Sequence, residues 1–394
     1  MSHSSSPVRT AMLGFTILVF SMGIGRFAFT PLLPVMQNEN LLSISEAGAL
    51  ASVHFVGYAM GALLGAALTA LPRTTLIGAL VGVSLSTLSM GLTENHLLWL
   101  IARWMTGVCS ALVLVVVSTH FLQRLTEAGR PDLQGLVFSG VGAGTAVTGF
   151  VMLVFMANSV NSTIGWLTFG IAALGATGLL LRSLRADLFQ STHRLQSRSA
   201  SCGVPAWRII LPYGAMGAGY IIPATYLPVM AQQSISSPLV FGWGWPIFGI
   251  AAAISTLLSS RLHRAYSNRQ IWVVSQVIMA TGLILPALAP SIATIAISAA
   301  CVGGTFMVVT MAGLKEAHRM TGNASAQTLV ALMTAAFALG QIVGPVLAGW
   351  AYSASDSFSY PLIAAAGLLL VSLIPMTSAR VASPPTEQYS RLRS

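Results

Sequence analysis

Twelve apolar stretches of roughly 18–26 residues follow one another along the chain, near 11–36, 46–71, 74–93, 97–122, 134–157, 163–181, 209–231, 239–260, 270–290, 292–314, 326–352 and 361–378. Each is long enough to cross a hydrocarbon layer of about 30 Å as a helix. Within such a layer the backbone can satisfy its N–H and C=O groups only in helices or closed barrels. Segments of this length select helices, so the pattern predicts an all-α integral membrane protein with twelve transmembrane helices. Hydrophobic residues make up 55% of the chain and charged residues 7%. A soluble surface needs roughly a quarter charged, which this chain does not have.

The formal charge of +10 raises nucleic acid as a partner, but its distribution argues otherwise. With the N-terminus inside, the inner segments carry Arg9, Arg73, Arg124, Arg130, Arg182, Arg185, Arg194, Arg198, Arg208, Arg261, Arg264, Arg269, Lys315, Arg319, Arg380, Arg391 and Arg393. The outer loops carry only Glu39, Glu46, Glu94 and Asp356. That is the positive-inside pattern, so the basic excess is topological, both termini are expected in the cytoplasm, and the partner is the lipid bilayer rather than nucleic acid. The first span is too long for a signal peptide and contains Pro31 and Pro34. Cys109, Cys202 and Cys301 form neither a disulfide framework nor a metal-ligand spacing and are expected to pack. Trp99, Trp166, Trp207, Trp243, Trp272 and Trp350 fall near span ends, as in an interfacial aromatic belt. No metal or other cofactor is expected.

A serine-rich basic stretch, 183–206, divides the spans into a bundle at 1–182 and a second at 207–394, six in each. The halves repeat. At an offset of 194, Met22–Arg26 lies over Met216–Tyr220 and Leu33–Met36 over Leu227–Met230, with seven of fifteen positions identical. At an offset of 200, Gly140, Gly144 and Gly149 lie over Gly340, Gly344 and Gly349. Gln123-Arg-Leu-Thr126 also resembles His318-Arg-Met-Thr321. Both halves start inside, so they are parallel six-helix bundles related by an axis along the membrane normal. Such pairs place a substrate at the midplane and rock around it.

The motifs resemble those of the major facilitator superfamily. Gly340-Gln-Ile-Val-Gly344-Pro345-Val-Leu-Ala-Gly349 is similar to its fifth-span motif, here in the eleventh span, and Arg103-Trp-Met-Thr-Gly107 to its fourth-span Arg-x-x-x-Gly. The opening Gly23-Ile-Gly-Arg-Phe-Ala-Phe-Thr-Pro-Leu-Leu-Pro-Val-Met36 resembles the first-span signature of the YbfB/YjiJ-type branch. The resemblance implies a secondary transporter of a bacterial cytoplasmic membrane, working as a monomer by rocker-switch alternating access. Two family features are altered. Thr69 stands where the loop after the second span usually has aspartate, and Thr145 where proton antiporters usually have proline in the fifth span.

Arg26 lies about 20 Å from the inner end of its span and 10–15 Å from the outer. Its side chain leans toward the helix N-terminus, the longer way out. An arginine near a span centre costs about 2.5–3.5 kcal/mol on insertion scales, and no acidic residue falls in the middle of any span. Two readings stand: Arg26 caps carbonyls left free by Pro31, or it holds an anionic group of a substrate, which its planar fork suits. Tyr220 occupies the equivalent place in the second half, and Thr30 shares the Arg26 face. Arg103, about 9 Å from the outer surface and leaning outward, is expected to reach water as an interfacial anchor, while its resemblance to the superfamily's fourth-span motif implies a contribution to the cavity or to coupling. Arg26, Thr30, Tyr220 and Arg103 are the candidate substrate-binding residues.

His54, with Tyr58 one turn on, and His120 are the candidates for carrying a coupled proton, histidine being the side chain that titrates near neutrality. The alternative for both is packing. Gln276 and Gln341 are either cavity groups or interhelical hydrogen bonders. Gly57, Gly61 and Gly65, with Gly140, Gly144, Gly344 and Pro345, are expected at close helix contacts or gates. The leading function is transport of a small organic anion, coupled to a proton or a counter-anion. The alternative is efflux of amphipathic toxic compounds. No HExxH, GxSxG or P-loop occurs, so enzyme chemistry and ATP-driven transport are not expected.

Overall fold

The computed structural model describes residues 6–67, 71–184, 186–189, 205–234 and 242–377, and the regular structure among them is entirely helical. Helices occupy the described part of every predicted span. In the first half they are α1 (Pro7–Asn38), α2 (Ile44–Ala67), α3 (Pro72–Ser89), α4 (His96–Glu127), α5 (Gln134–Ala157) and α6 (Ser162–Leu181). In the second they are α7 (Trp207–Ser234), α8 (Gly244–Ala265), α9 (Asn268–Leu288), α10 (Ile292–Met320), α11 (Leu329–Ser355) and α12 (Ser359–Met376). Ten of these are long and apolar enough to cross a membrane. The other two are less apolar: α3 is rich in serine and threonine, and α7 contains Pro212, Pro223 and Pro228. The chain is a multi-pass membrane protein.

Helical geometry continues from Ile292 to Ser355, 64 residues. Straight, such a rod would be about 96 Å long, three times what a bilayer needs. It doubles back instead: Gly313 faces the side chains of both Tyr213 and Met333. Thr69, Cys202 and most of the predicted linker (190–204) lie outside the described residues.

The internal repeat appears as repeated packing. Cys109 of α4 packs on Gly82 of α3, and Cys301 of α10 packs on Gly282 of α9. Small residues let helices approach where lipid gives no hydrophobic drive to associate. Gly57 and Gly61 of α2 meet the backbone of α4 at Trp104 and Val108, with Gly65 against Val115. Gly107 of α4 meets α2 at His54 and Tyr58. Gly140 and Gly144 meet α1 at Phe15, Val19 and Gly23, and Gly344 meets α7 at Ala218 and Ile221. All six predicted packing glycines therefore sit within a half. The seam between halves runs along α5 and α8 through Gly135, Gly142 and Gly149, which face Thr256, Gly249–Ala253 and Pro246. Pro345 does lie between halves, its carbonyl facing Gly48 of α2.

A Cβ on Gly107 would come within 2.9 Å of Tyr58 N and 3.0 Å of the His54 carbonyl carbon. Backbone cannot swing aside, so Gly107→Ala is expected to destabilise by about 1–3 kcal/mol. Gly78→Ala, with nothing within 4 Å, should instead be neutral or gain up to about 1 kcal/mol of helix propensity. Thermal melts of the two variants in one detergent check the pair.

The aromatic belt is only half present. Trp207, Trp243 and Trp350 are exposed, whereas Trp99, Trp166 and Trp272 are buried. Trp99 Nε1 donates to the carbonyls of Met90 (3.0 Å) and Thr93 (2.8 Å), and Trp272 Nε1 to Gln276 Oε1 (2.8 Å). Their indoles are committed inside the bundle.

Candidate functional site

α1 is not a uniform helix. It is α-helical over Pro7–Leu18, widens to a π-helix over Val19–Arg26, breaks at Phe27–Ala28 and resumes over Phe29–Asn38. Pro31 has no N–H to bond the Phe27 carbonyl, and a π stretch rotates the residues after it relative to a plain α-helix. Arg26 ends that stretch, buried at 6% exposure. Its Nη2 donates to Tyr220 Oη at 2.8 Å. The guanidinium lies 5.1 Å from the rings of Phe27 and Phe55 and 4.6 Å from Tyr58. Arg26 therefore turns to the opposite half, and no hydrogen bond joins it to the carbonyl freed by Pro31.

The contact follows from the repeat. Residues beside a pseudo-twofold axis meet their own equivalents, and three cross-half bonds carry the repeat offset of 194: Arg26 to Tyr220, Thr30 Oγ1 to the Ala224 carbonyl (2.6 Å), and Gln232 Nε2 to Asn38 Oδ1 (2.6 Å). These bonds place the axis between α1 and α7. Ser52 Oγ to the Ile342 carbonyl (2.7 Å) and Tyr226 Oη to the Ile44 carbonyl (3.3 Å) extend the junction to α2. From Arg26 toward the α1–α2 loop, the two halves are fastened together.

Arg103 departs from expectation. It is buried at 3% exposure, with Cζ 4.7 Å from the Phe29 ring, because α4 packs against α2 on this face and turns the side chain inward. Arg26 and Arg103 are close enough to feel each other's charge, and His54 feels both. The Nε of each arginine and both ring nitrogens of His54 are buried without a hydrogen-bond partner. His54 stands edge-on to Phe55 at 5.2 Å, with the Arg103 backbone as its polar neighbour.

Among the described residues no carboxylate pairs with either arginine. Glu39 accepts from Ser162 N at 2.9 Å, Glu46 lies 3.4 Å from His96, Asp132 binds Arg130 at 2.8 Å and Glu316 binds Arg319 at 2.7 Å. His120, in a second π stretch (Val117–Phe121), lies 5.8 Å from the Phe189 ring and not with the arginines.

The glutamines separate. Gln276 is satisfied within the second half, donating to the Leu369 carbonyl and Ser372 Oγ, both at 2.9 Å. Gln341 donates to the same Tyr220 oxygen as Arg26, while its own Oε1 is buried without a partner. Tyr220 stacks on Phe306 (5.3 Å) and Phe337 (5.6 Å), each 7° from parallel. Sequence reasoning passed over Phe55, Phe306 and Phe337, since phenylalanine in an apolar span carries no distinguishing signal. Two grooves, about 480 and 360 Å³, lie between α7, α11 and α12 and are lined almost wholly by apolar residues.

A family model described as "Uncharacterised MFS-type transporter YbfB" matches residues 18–377. The chain belongs to that family. The YbfB-type assignment includes Arg26, Arg103, Tyr220 and Gln341 within the matched region. Curated relatives agree across nearly full length. An uncharacterized MFS-type transporter of Yersinia pestis is 24% identical, covering 95% of this chain and 96% of its own. The inner membrane transport protein YdhP of Escherichia coli O157:H7 is 25% identical over 94% and 96%. Among solved structures, the nucleoside transporter NupG superposes with a TM-score of 0.68 at 14% identity, covering 95% of this chain and 99% of NupG. At that identity the likeness concerns the fold alone.

Proposed function

We propose that this YbfB-type protein is a secondary transporter of a small organic anion, held at the midplane between its halves. The observation that carries the reading is the pair of buried guanidinium groups without a carboxylate. At about 2.5–3.5 kcal/mol each on insertion scales, two such charges cost roughly 5–7 kcal/mol. Contacts with Phe27, Phe55, Tyr58 and Phe29 return part of that, at about 0.5–2 kcal/mol per cation–π contact. An anionic substrate supplies the rest and fills the unpaired donors of Arg26 and Arg103, with Tyr220 of the other half at the edge of the site beside Arg26. Thr30 holds α1 against α7 beside them. A coupled proton would be carried by His54 only with the anion in place, because the two arginine charges beside it oppose a third positive charge in the empty protein. In an exchange mechanism a counter-anion takes the substrate's place. One chain holds the whole site, so a monomer suffices. A relative named as an inner membrane transport protein and the positive-inside charge pattern favour a bacterial inner membrane, with both termini cytoplasmic.

The test is ligand-induced thermal stabilisation of the purified protein, since a ligand that binds only the folded state raises Tm by mass action. Lactate, benzoate, succinate and glycerol 3-phosphate should raise Tm where matched amines and neutral amphipaths do not. Stabilisation by neutral amphipaths alone, equal in wild type and Arg26→Gln, would favour the efflux reading instead.

A further inference from the structure

Tyr220 Oη is the meeting point of two donors from opposite halves, Arg26 Nη2 on α1 and Gln341 Nε2 on α11. Two donors converging on one oxygen are what a carboxylate or phosphate oxygen requires. Here the oxygen belongs to the protein. Gln341 is fully buried with its other amide atom unpartnered, and the Nε atoms of Arg26 and Arg103 are unpartnered too.

We infer that the Tyr220 hydroxyl is an internal stand-in for the substrate's anionic oxygen, and that Gln341 is a substrate-binding residue contributed by the second half. This rests on the anion reading above. In the empty protein the phenol holds Arg26 and fastens α1 to α7, in line with the Thr30–Ala224 and Asn38–Gln232 bonds on the outward side. An arriving anion takes the donors of Arg26 and Gln341. The phenol is displaced, and one of the bonds that keep the halves together is released. Substrate binding and loosening of the outer junction are then one event. Tyr220 competes with substrate, so its hydroxyl lowers apparent affinity by reducing the competent population.

The expected effect is opposite to that for an ordinary binding tyrosine. Tyr220→Phe keeps the stack on Phe306 and Phe337 and removes only the competing oxygen. Calorimetric titration with whichever of lactate, benzoate, succinate or glycerol 3-phosphate stabilises wild type should show Kd falling roughly threefold to tenfold in Tyr220→Phe, the scale of one hydrogen bond. Kd should rise about tenfold in Gln341→Leu, with both variants confirmed folded by their melts. Weaker binding in Tyr220→Phe would overturn the stand-in role by making the phenol a direct contact. Unchanged affinity in Gln341→Leu would remove that residue from the site. Both results would leave the anion reading intact, whereas no binding by any of the four probes to wild type would end that reading and this inference with it.

Discussion

Arg26→Gln is expected to fold, to melt at or above the wild-type temperature, and to lose anion transport by about a hundredfold or more. The gain in stability and the loss of transport have separate causes. A buried charge without a carboxylate partner destabilises the empty protein, and replacing buried ionic groups by well-packed neutral ones is often neutral or stabilising by about 1–4 kcal/mol. Glutamine still reaches toward Tyr220 but carries no charge. Losing a buried, charge-assisted contact to the substrate costs about 2–5 kcal/mol of binding, of which about 2.7 kcal/mol is already a hundredfold. Uptake or exchange of the anion by proteoliposomes, paired with a melt, checks both. A variant that unfolds would instead assign Arg26 to holding α1 and α7 together.

Gly142→Leu should be strongly damaging although it lies away from that site. Gly142 of α5 faces the backbone of α8 across the seam, where an added Cβ would lie 2.7 Å from the Gly249 carbonyl oxygen and 2.9 Å from the Ala252 carbonyl carbon. Even alanine is too large there, and leucine forces the helices apart by the width of a side chain. Overpacking typically costs about 1–3 kcal/mol, more where both sides are backbone. Because the seam joins the halves, the displacement also shifts Arg26 and Tyr220 relative to each other. Transport is expected to fall at least tenfold. Gly175→Leu, on a face of α6 with nothing within 4 Å, should transport normally. Equal transport by the two leucine variants would show that the α5–α8 seam has room to spare.

Much of the architecture was legible because it depends on one-dimensional patterns. Apolar run length placed the helices near their described bounds, except that the break predicted between the tenth and eleventh spans falls within continuous helical geometry from Ile292 to Ser355. The repeat offset identified the Arg26–Tyr220 pair, since positions on a pseudo-axis meet their equivalents whatever the details of packing. Rotation about each helix axis was not legible. In a span apolar on every face, nothing marks the side that faces protein, so Arg103 was expected in water and is buried, and Trp99, Trp166 and Trp272 were expected at the interface. Gly142 was hidden for the same reason: it shares one short run with Gly140 and Gly144, and only the helix setting separates the face toward α8 from the face toward α1. Gln276 and Gln341 read alike in sequence and differ only in whether the neighbouring helix offers both partners.

In the mechanism proposed above, anion binding between the two buried arginines displaces Tyr220 Oη, which now bonds Arg26. Its most direct measurement is a pair of cryo-electron microscopy maps, one of the protein alone and one with the anion that gives the largest thermal stabilisation. Ligand density is expected within hydrogen-bonding reach of Arg26 and Gln341, with the Tyr220 hydroxyl moved off Arg26. Ligand density in the apolar groove between α7, α11 and α12, with the Arg26–Tyr220 bond still in place, would contradict it.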